Sequence, residues 1–326
     1  MKKWLDRLIG GTSKETDTAP GAGAGVAAAG DGAEMALEID SAYYRWLTAS
    51  CGTNARSEVE AAILAEVHAL AGDPENASGL VPRIPDLVAQ LLNALSNENI
   101  SSAAVAAEVG RDLVLVAEVI REANSAYYRP AKPIETLDGA VAMLGLNGLR
   151  MLLARIAFRP LVKVKVQGVA RAVAPSVWRH SERCAFAASV MAPGLSASVF
   201  EAYLAGLMQN VGLQVAFQVA DRHGEGKVPA AGSFGIALFA ASRQLSSVIA
   251  QHWEFPADVV EAIARAGDAD ALDATHLTQA LVQGDRIAKL RLLLDAGVIE
   301  PEDSFVSTGL NGFQRRCLGK LADLAD

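Results

Sequence analysis

Few side chains of this 326-residue chain are suited to metal or nucleophilic chemistry, and their spacing excludes most common sites. The five histidines show neither HxxxH nor HExxH spacing, and the three cysteines lie far apart without a CxxC pair. No GxSxG motif occurs, and the glycines between Gly21 and Gly25 lack the Lys and Ser/Thr of a phosphate-binding loop. These patterns argue against a zinc protease, a structural zinc site, a disulfide framework, a serine hydrolase and a P-loop site.

Basic residues are concentrated in the middle of the chain. Between Gly139 and Ser181 there are seven Arg and Lys residues and no Asp or Glu, although the whole chain has a net charge of −8. A charge asymmetry of this kind directs association with oppositely charged partners. Three interpretations stay open: a solvated or internally paired face, a surface for an anionic protein or nucleotide, and a duplex-DNA contact. The candidate binding residues are Arg150, Arg155 and Arg159.

The positions of apolar residues predict helices along most of the chain from about Glu34 onward. Two helices that end at the turn over residues 72–74 form a helical prefix over 34–78. Between Ile84 and Leu95 apolar residues recur at i, i+3, i+4, i+7, i+8 and i+11, which predicts a helix with one face in a core. The only alternating run, over residues 161–166, predicts a short extended linker between two halves. The fold class is therefore all-α.

A helix, a tight turn at Gly145 and a second helix are predicted between Thr136 and Phe158, in the outline of a helix-turn-helix. The second helix carries an apolar stripe, formed by Leu149, Leu152, Leu153 and Ile156. This stripe must be buried, which leaves few positions for reading base edges. Nucleic acid is therefore the least favoured partner.

Asn124 and Ser125 end the helix that precedes this pair. Short polar side chains at such a position can bond freed backbone groups, or they can contact a ligand directly. Both roles stay open for Asn124 and Ser125.

Residues 1–33 are predicted to lie outside the folded domain. Residues 1–10 place apolar side chains on one helical face, which predicts a weak contact with a membrane surface or a partner groove, or packing on the chain's own domain. Residues 11–32 are mostly Gly, Ala, Thr and Asp, a composition typical of a flexible tether. No uncharged apolar run approaches the about 20 residues of a membrane-spanning helix. The odd number of widely spaced cysteines favours a reducing compartment, so we expect a cytoplasmic protein.

Several short motifs follow one another in an order typical of one family. They are Ile84-Pro85-Asp86-Leu87, Ala123-Asn124-Ser125-Ala126-Tyr127, Trp178-Arg179-His180-Ser181, Gly206 to Gly212, and Trp253-Glu254-Phe255-Pro256. In these motifs the chain resembles an HDOD domain over about residues 80–290. The resemblance implies two packed helical halves: an N-terminal half over 79–165 and an HD-like half over 166–326.

The HD-type metal site is the part of the resemblance in which this chain departs from the catalytic pattern. Active HD-type hydrolases bind metal through a His, an adjacent His-Asp pair and a later Asp, and by resemblance these positions are His180, Gln209, Asn210 and Asp285. Neutral carboxamide oxygens coordinate weakly and cannot supply the missing negative charge. We therefore expect no tightly bound metal, no cofactor and no catalysis, although a hard ion such as Mg²⁺ could still bind loosely.

The resemblance implies a regulatory protein of a bacterial signalling pathway that acts by contact with an unidentified signalling partner. Proteins it resembles are associated with cyclic-dinucleotide signalling, which makes a component of such a pathway a candidate partner. Two alternatives stay open: a residual metal-dependent phosphodiesterase or phosphohydrolase that uses His180 and Asp285, and a DNA-binding regulator.

Overall fold

The computed structural model describes residues 26–54, 56–73, 101–125, 128–162, 167–267 and 274–324. The predicted amphipathic peptide at residues 1–10 and the predicted helix from Ile84 to Leu95 lie outside the described residues, as do residues 163–166 of the predicted linker. Within the described residues all regular secondary structure is helical apart from two three-residue strands, which confirms the all-α prediction.

The predicted prefix consists of α1 (Val26–Leu47) and α2 (Ser57–Gly72). Helix α1 begins eight residues before Glu34, so residues 26–33 are helical and not part of a linker as predicted. The alanines at positions 27–29 have the highest intrinsic helix propensity, which accounts for the earlier start.

A two-stranded parallel sheet, which the sequence did not predict, joins this prefix to the second half of the chain. Strand β1 (Gly52–Asn54) pairs with β2 (Lys227–Pro229), with Thr53 opposite Val228. Three residues are too few to show an alternating pattern, so no periodicity marks these strands.

The N-terminal half contains α3 (Ser102–Val109), α4 (Leu113–Ala123) and α5 (Leu137–Val162). The Asp112 side chain caps α4 by accepting from the backbone N–H groups of Val114 and Leu115, as predicted. Gly145 interrupts α5 with φ 65° and ψ 179°, which confirms the predicted helix, turn and helix.

The second segment of α5 buries its apolar stripe, with Leu149, Leu152 and Leu153 all within the core. Helix α5 continues to Val162, so Leu161 and Val162 are helical and the predicted extended linker is wrong at these two positions. Burial of this stripe is the feature that made nucleic acid the least favoured partner in the sequence analysis.

The second half is built around α6 (Gly168–Met191), which packs against α7 (Val199–Met208), α8 (Val211–Gly224) and α11 (His276–Asp295). Two glycines allow the helices to approach closely. A Cβ atom at Gly206 would lie 2.4 Å from Ala185 Cα, and one at Gly284 would lie 2.6 Å from the backbone nitrogen of Ala188. These two close contacts with α6 bring the end of α7 and the middle of α11 beside His180.

The remaining helices complete the shell around this centre. They are α9 (Gly232–His252), α10 (Ala257–Ala264), α12 (Ser304–Ser307) and α13 (Gly312–Lys320). Helix α1 packs against α9 and α11, where Tyr43 and Tyr44 are fully buried. The Tyr44 hydroxyl donates to the carbonyl oxygen of Pro229 at 2.7 Å, so the prefix is an integral part of this core.

Two helical stretches of the described chain, Leu137–Arg159 and Gly232–His252, are long and apolar enough to cross a membrane by length and composition alone. Of the most apolar 18 residues in each stretch, 50% and 61%, respectively, are buried within the protein. Both contain charged residues, which is why neither appeared as an uncharged run in the sequence. Core helices meet the same criterion, and the burial of these two agrees with a core position.

Candidate functional site

The four positions that correspond to the HD-type metal site lie together in one buried cluster. His180 is on α6, Gln209 and Asn210 form the turn between α7 and α8, and Asp285 is on α11. His180, Gln209 and Asn210 are 1%, 2% and 8% exposed, so water has little access to them. We refer to these four residues, together with Lys289 and Asp40 described below, as the cleft cluster.

His180 is held from both ring nitrogens. Its Nδ1 lies 3.1 Å from Nδ2 of Asn210, which also donates to the Ser181 hydroxyl at 3.1 Å. Because an amide nitrogen only donates, Nδ1 is the acceptor and the ring proton is on Nε2. Nε2 lies 2.9 Å from Asp285 Oδ1, so its proton faces that carboxylate.

Gln209 is also engaged inside the cluster. Its amide nitrogen donates to Asp285 Oδ1 at 2.8 Å and lies 2.9 Å from Cys184 Sγ. Its backbone carbonyl accepts from the Ser246 hydroxyl at 2.7 Å. Burial raises the pKa of the Cys184 thiol well above its usual value, as expected for an inert packed cysteine.

A buried lysine that the sequence analysis did not single out is the centre of the cluster. Lys289 Nζ donates to Asp285 Oδ2 at 2.5 Å and to Asp40 Oδ1 at 2.6 Å, and its side chain is only 4% exposed. The ammonium also lies 5.1 Å from the ring centroid of Phe239 and 5.8 Å from that of Tyr43. The spacing of Asp285 and Lys289, four residues apart on a helix, was a signal that could have indicated this pair.

The electrostatics of the cluster favour charged Asp285 and Lys289. Burial alone raises the pKa of the Asp285 carboxyl, but the Lys289 ammonium and the His180 ring outweigh it and hold that pKa below its usual range. Burial likewise lowers the pKa of Lys289, and the Asp285 and Asp40 carboxylates more than compensate, so the net shift is upward. The two groups therefore form a buried ion pair.

These residues do not fit a divalent metal in the observed arrangement. The cation position between the carboxylates is taken by Lys289, and both carboxamides direct NH₂ groups, which cannot coordinate, at their neighbours. Within the described part of the chain, no group of three or more His, Cys, Asp or Glu side chains is placed to hold a metal ion. No catalytic step through a metal follows from this geometry.

The three arginines predicted as a binding row lie in three different environments. Arg150 is only 6% exposed, with its guanidinium 5.8 Å from the ring centroid of Phe200. Arg155 forms a half-buried ion pair with Glu122 at 2.5 Å, and Arg159 is exposed. The row is therefore not one continuous exposed surface, because the α5 segment that buries the leucine stripe also carries Arg150 inward.

Asn124 joins the end of α4 to the loop before α5. Its amide nitrogen donates to the carbonyl oxygens of Ile120 and Ile134 at 2.9 and 2.8 Å, and its Oδ1 accepts from the Ile134 backbone N–H at 2.8 Å. The Ser125 hydroxyl is buried and has no hydrogen-bond partner within the described residues. These Asn124 side-chain hydrogen bonds are all with backbone groups, which favours the structural role over direct ligand contact.

A model of the HDOD domain matches residues 81–269, more than half of the chain. The chain belongs to the HDOD domain family. The family resemblance seen in the sequence is confirmed, although α1 and α2 precede the matched region and the whole of α11 follows it.

Solved structures similar to this HDOD protein share its helical fold. An HDOD domain protein of unknown function from Geobacter sulfurreducens is 24% identical, with a TM-score of 0.55 over 78% of this chain and 93% of that one. A protein described as a signal transduction protein from Marinobacter aquaeolei VT8 is 20% identical, with a TM-score of 0.56 over 78% and 63% of the two chains. A protein named provisionally as a metal-dependent phosphohydrolase from Shewanella amazonensis SB2B is 22% identical, with a TM-score of 0.55 over 82% and 99%.

One curated relative, an uncharacterized protein from Treponema pallidum (strain Nichols), is 23% identical over 195 residues. The match covers 56% of this HDOD protein and 37% of that relative. The chain therefore spans little more than a third of the relative's length.

Proposed function

We propose that this HDOD protein is a non-catalytic regulatory protein of the bacterial cytoplasm that works by binding a signalling partner. The observation that carries the proposal is the use of Gln209 and Asn210 as hydrogen-bond donors to Asp285 and His180. Carboxamides in this role stabilise the packing of α6, α7 and α11 and supply no metal ligand. Family membership and the description of the Marinobacter protein support a role in signal transduction.

We propose as the contact surface the exposed part of the basic segment, which is the stretch of residues 139–181. Arg159 is exposed near the end of α5, and Arg155 lies half-buried one turn earlier. Since the region between Gly139 and Ser181 contains no acidic residue, its local charge favours an acidic protein surface as the partner. A component of a cyclic-dinucleotide pathway is the partner class that the family resemblance suggests.

The absence of catalysis is tested by metal analysis of the purified protein together with hydrolysis assays on cyclic and linear nucleotides. We expect less than stoichiometric metal and no turnover above the background rate. Stoichiometric metal, with turnover that His180→Ala abolishes, would contradict the proposal. Because His180 and Asp285 are retained and lie 2.9 Å apart, a residual phosphohydrolase is the alternative that this outcome would establish.

The contact surface is tested by charge reversal at an exposed position. Arg159→Glu should reduce capture of the partner from extracts of the native cell, identified by mass spectrometry, without changing the melting temperature. Arg316→Glu, an exposed arginine on α13, is the matched control and should capture as well as the wild type. Equal capture by both variants would show that the surface is wrong.

The same two variants test the DNA-binding alternative. A DNA-binding regulator would bind duplex DNA with steep salt dependence, and Arg159→Glu would weaken that binding. We expect no salt-dependent duplex binding by the wild-type protein.

A further inference from the structure

The Lys289 ammonium has the surroundings of a bound cation. Two carboxylate oxygens lie 2.5 and 2.6 Å from Nζ, and the rings of Phe239 and Tyr43 line its position at 5.1 and 5.8 Å. Lys289 and Asp285 occupy successive turns of α11, whereas Asp40 comes from α1. Both anionic partners are therefore directed at one point from two different helices.

Helix α1 supplies more than one group to this point. Asp40 and Tyr43 are three residues apart, so they lie on the same face of α1. The Tyr43 ring packs 4.7 Å from the His180 ring and is fully buried. Helix α1 thus covers His180 with an aromatic ring and places a carboxylate on the ammonium, although it lies outside the family-matched region.

We propose that Lys289 is the resident cation of this cleft and that Asp40 and Asp285 are its paired anionic ligands. The ammonium occupies the position in which a divalent ion would meet both carboxylates, and α1 closes the cleft over it. The inference extends the proposed non-catalytic role by naming the residues that exclude a metal.

Removal of the ammonium should convert the cleft into a metal site. Without Lys289 the cluster retains the Asp40 and Asp285 carboxylates, and His180 Nε2 beside Asp285 can become a third zinc ligand when it releases its proton. The carboxylate oxygens lie 2.5 and 2.6 Å from the ammonium, and zinc–oxygen bonds are about 2.0–2.2 Å, so the two carboxylates need only small shifts. The His180 side chain must move toward the ion, because the described wild-type residues do not place three such groups for a metal. The carboxylates would also be left without their counter-ion, which favours any incoming cation.

The test compares Zn²⁺ binding by Lys289→Ala, Lys289→Arg and wild-type protein with calorimetry and thermal melting. Lys289→Ala should bind one Zn²⁺ per chain at least 10-fold more tightly than the wild type, and saturating Zn²⁺ should raise its melting temperature. Lys289→Arg retains a cation and should show neither gain. The double variant Lys289→Ala with Asp40→Asn should lose most of the added affinity.

A second variant keeps the test decisive if Lys289→Ala fails to fold. In the otherwise wild-type protein, Asp40→Asn should lower the melting temperature and increase amide hydrogen exchange in α1, because one ligand of the ammonium has lost its charge. Unchanged melting and unchanged α1 exchange would overturn the role of Asp40. Folded Lys289→Ala without a gain in Zn²⁺ affinity would overturn the inference as a whole.

These outcomes are separable from those that test the proposed function. Metal-dependent turnover by the wild-type protein would defeat the proposed function. Failure of Lys289→Ala to gain Zn²⁺, in a protein whose wild type has no turnover, would defeat only the inference about Lys289.

Discussion

The cleft cluster and the basic segment both place cations beside carboxylates, but they do so at very different depths. In the cleft cluster the Lys289 side chain is 4% exposed and contacts two carboxylates. In the basic segment the Arg155 side chain is 28% exposed and contacts one, and Arg159 is exposed. In a buried site no water can solvate a charge whose partner is removed. Loss of one partner should therefore destabilise the protein much more in the cleft cluster than in the basic segment.

The comparison also explains why the two regions suit different roles. A buried pair that loses one member leaves a desolvated charge, so the cleft cluster is sensitive to substitution and orders the helices around it. A solvated arginine can exchange water for a partner at little cost in stability. This difference supports the basic segment as the contact surface that we propose and the cleft cluster as a structural centre of the fold.

The largest expected effect is that of Lys289→Met, which keeps the length of the side chain and removes its charge. Breaking a buried ion pair by removing one partner costs about 3–5 kcal/mol, and we expect a loss of unfolding free energy in this range. Urea denaturation with two-state analysis measures it. A loss below about 1 kcal/mol, the size typical of an exposed pair, would remove the distinction between the two regions.

Acid should destabilise the protein through Asp285. Because its pKa is lower in the folded state, the unfolded chain takes up the proton first as pH falls below about 4, and the free energy of unfolding decreases. The stabilisation is present above that pH and is lost as pH falls toward the folded pKa. In Asp285→Asn the free energy of unfolding should decrease less steeply with falling pH than in the wild type, when both are measured by denaturation between pH 2 and 7. An equally steep decrease would refute the role of Asp285 in acid destabilisation.

Arg150→Ala should have an intermediate effect, because Arg150 belongs to the basic segment by sequence but to the core by position. We expect a loss of about 2 kcal/mol from the removal of its buried stem and its contact with Phe200. Thermal or urea denaturation measures the change. No change in stability would mean that Arg150 is solvated in solution, contrary to its 6% exposure.

The smallest effect is expected for Arg159→Ala. Exposed substitutions away from special features change stability by less than about 0.5 kcal/mol, and Arg159 is exposed. Urea denaturation of Arg159→Ala and Arg150→Ala measures the two losses of stability side by side, for a buried and an exposed arginine on the same helix. A loss as large as that of Arg150→Ala would show that Arg159 is part of the fold and not a free contact residue.

Much of the fold was predictable because local patterns carry it. The capping carboxylate of Asp112, the break at Gly145 and the leucine stripe of α5 are all signals within one helix and its ends, and each was confirmed. The early start of α1 and the pairing of β1 with β2 were missed. The first depends on a weak propensity in an Ala-rich stretch, and the second joins two segments of three residues that are far apart in sequence.

The sequence by itself determined the helical class, the family, and the replacement of a His-Asp pair by Gln209 and Asn210. These follow from residue types and short-range spacing, which are fully present in the linear chain. Only the tertiary structure decided that Lys289 is the cation beside Asp285, that Asp40 reaches it from a helix 249 residues away, and that Arg150 is buried. The environment of a charge depends on which helices pack around it, and that packing is not encoded in the spacing of any one segment.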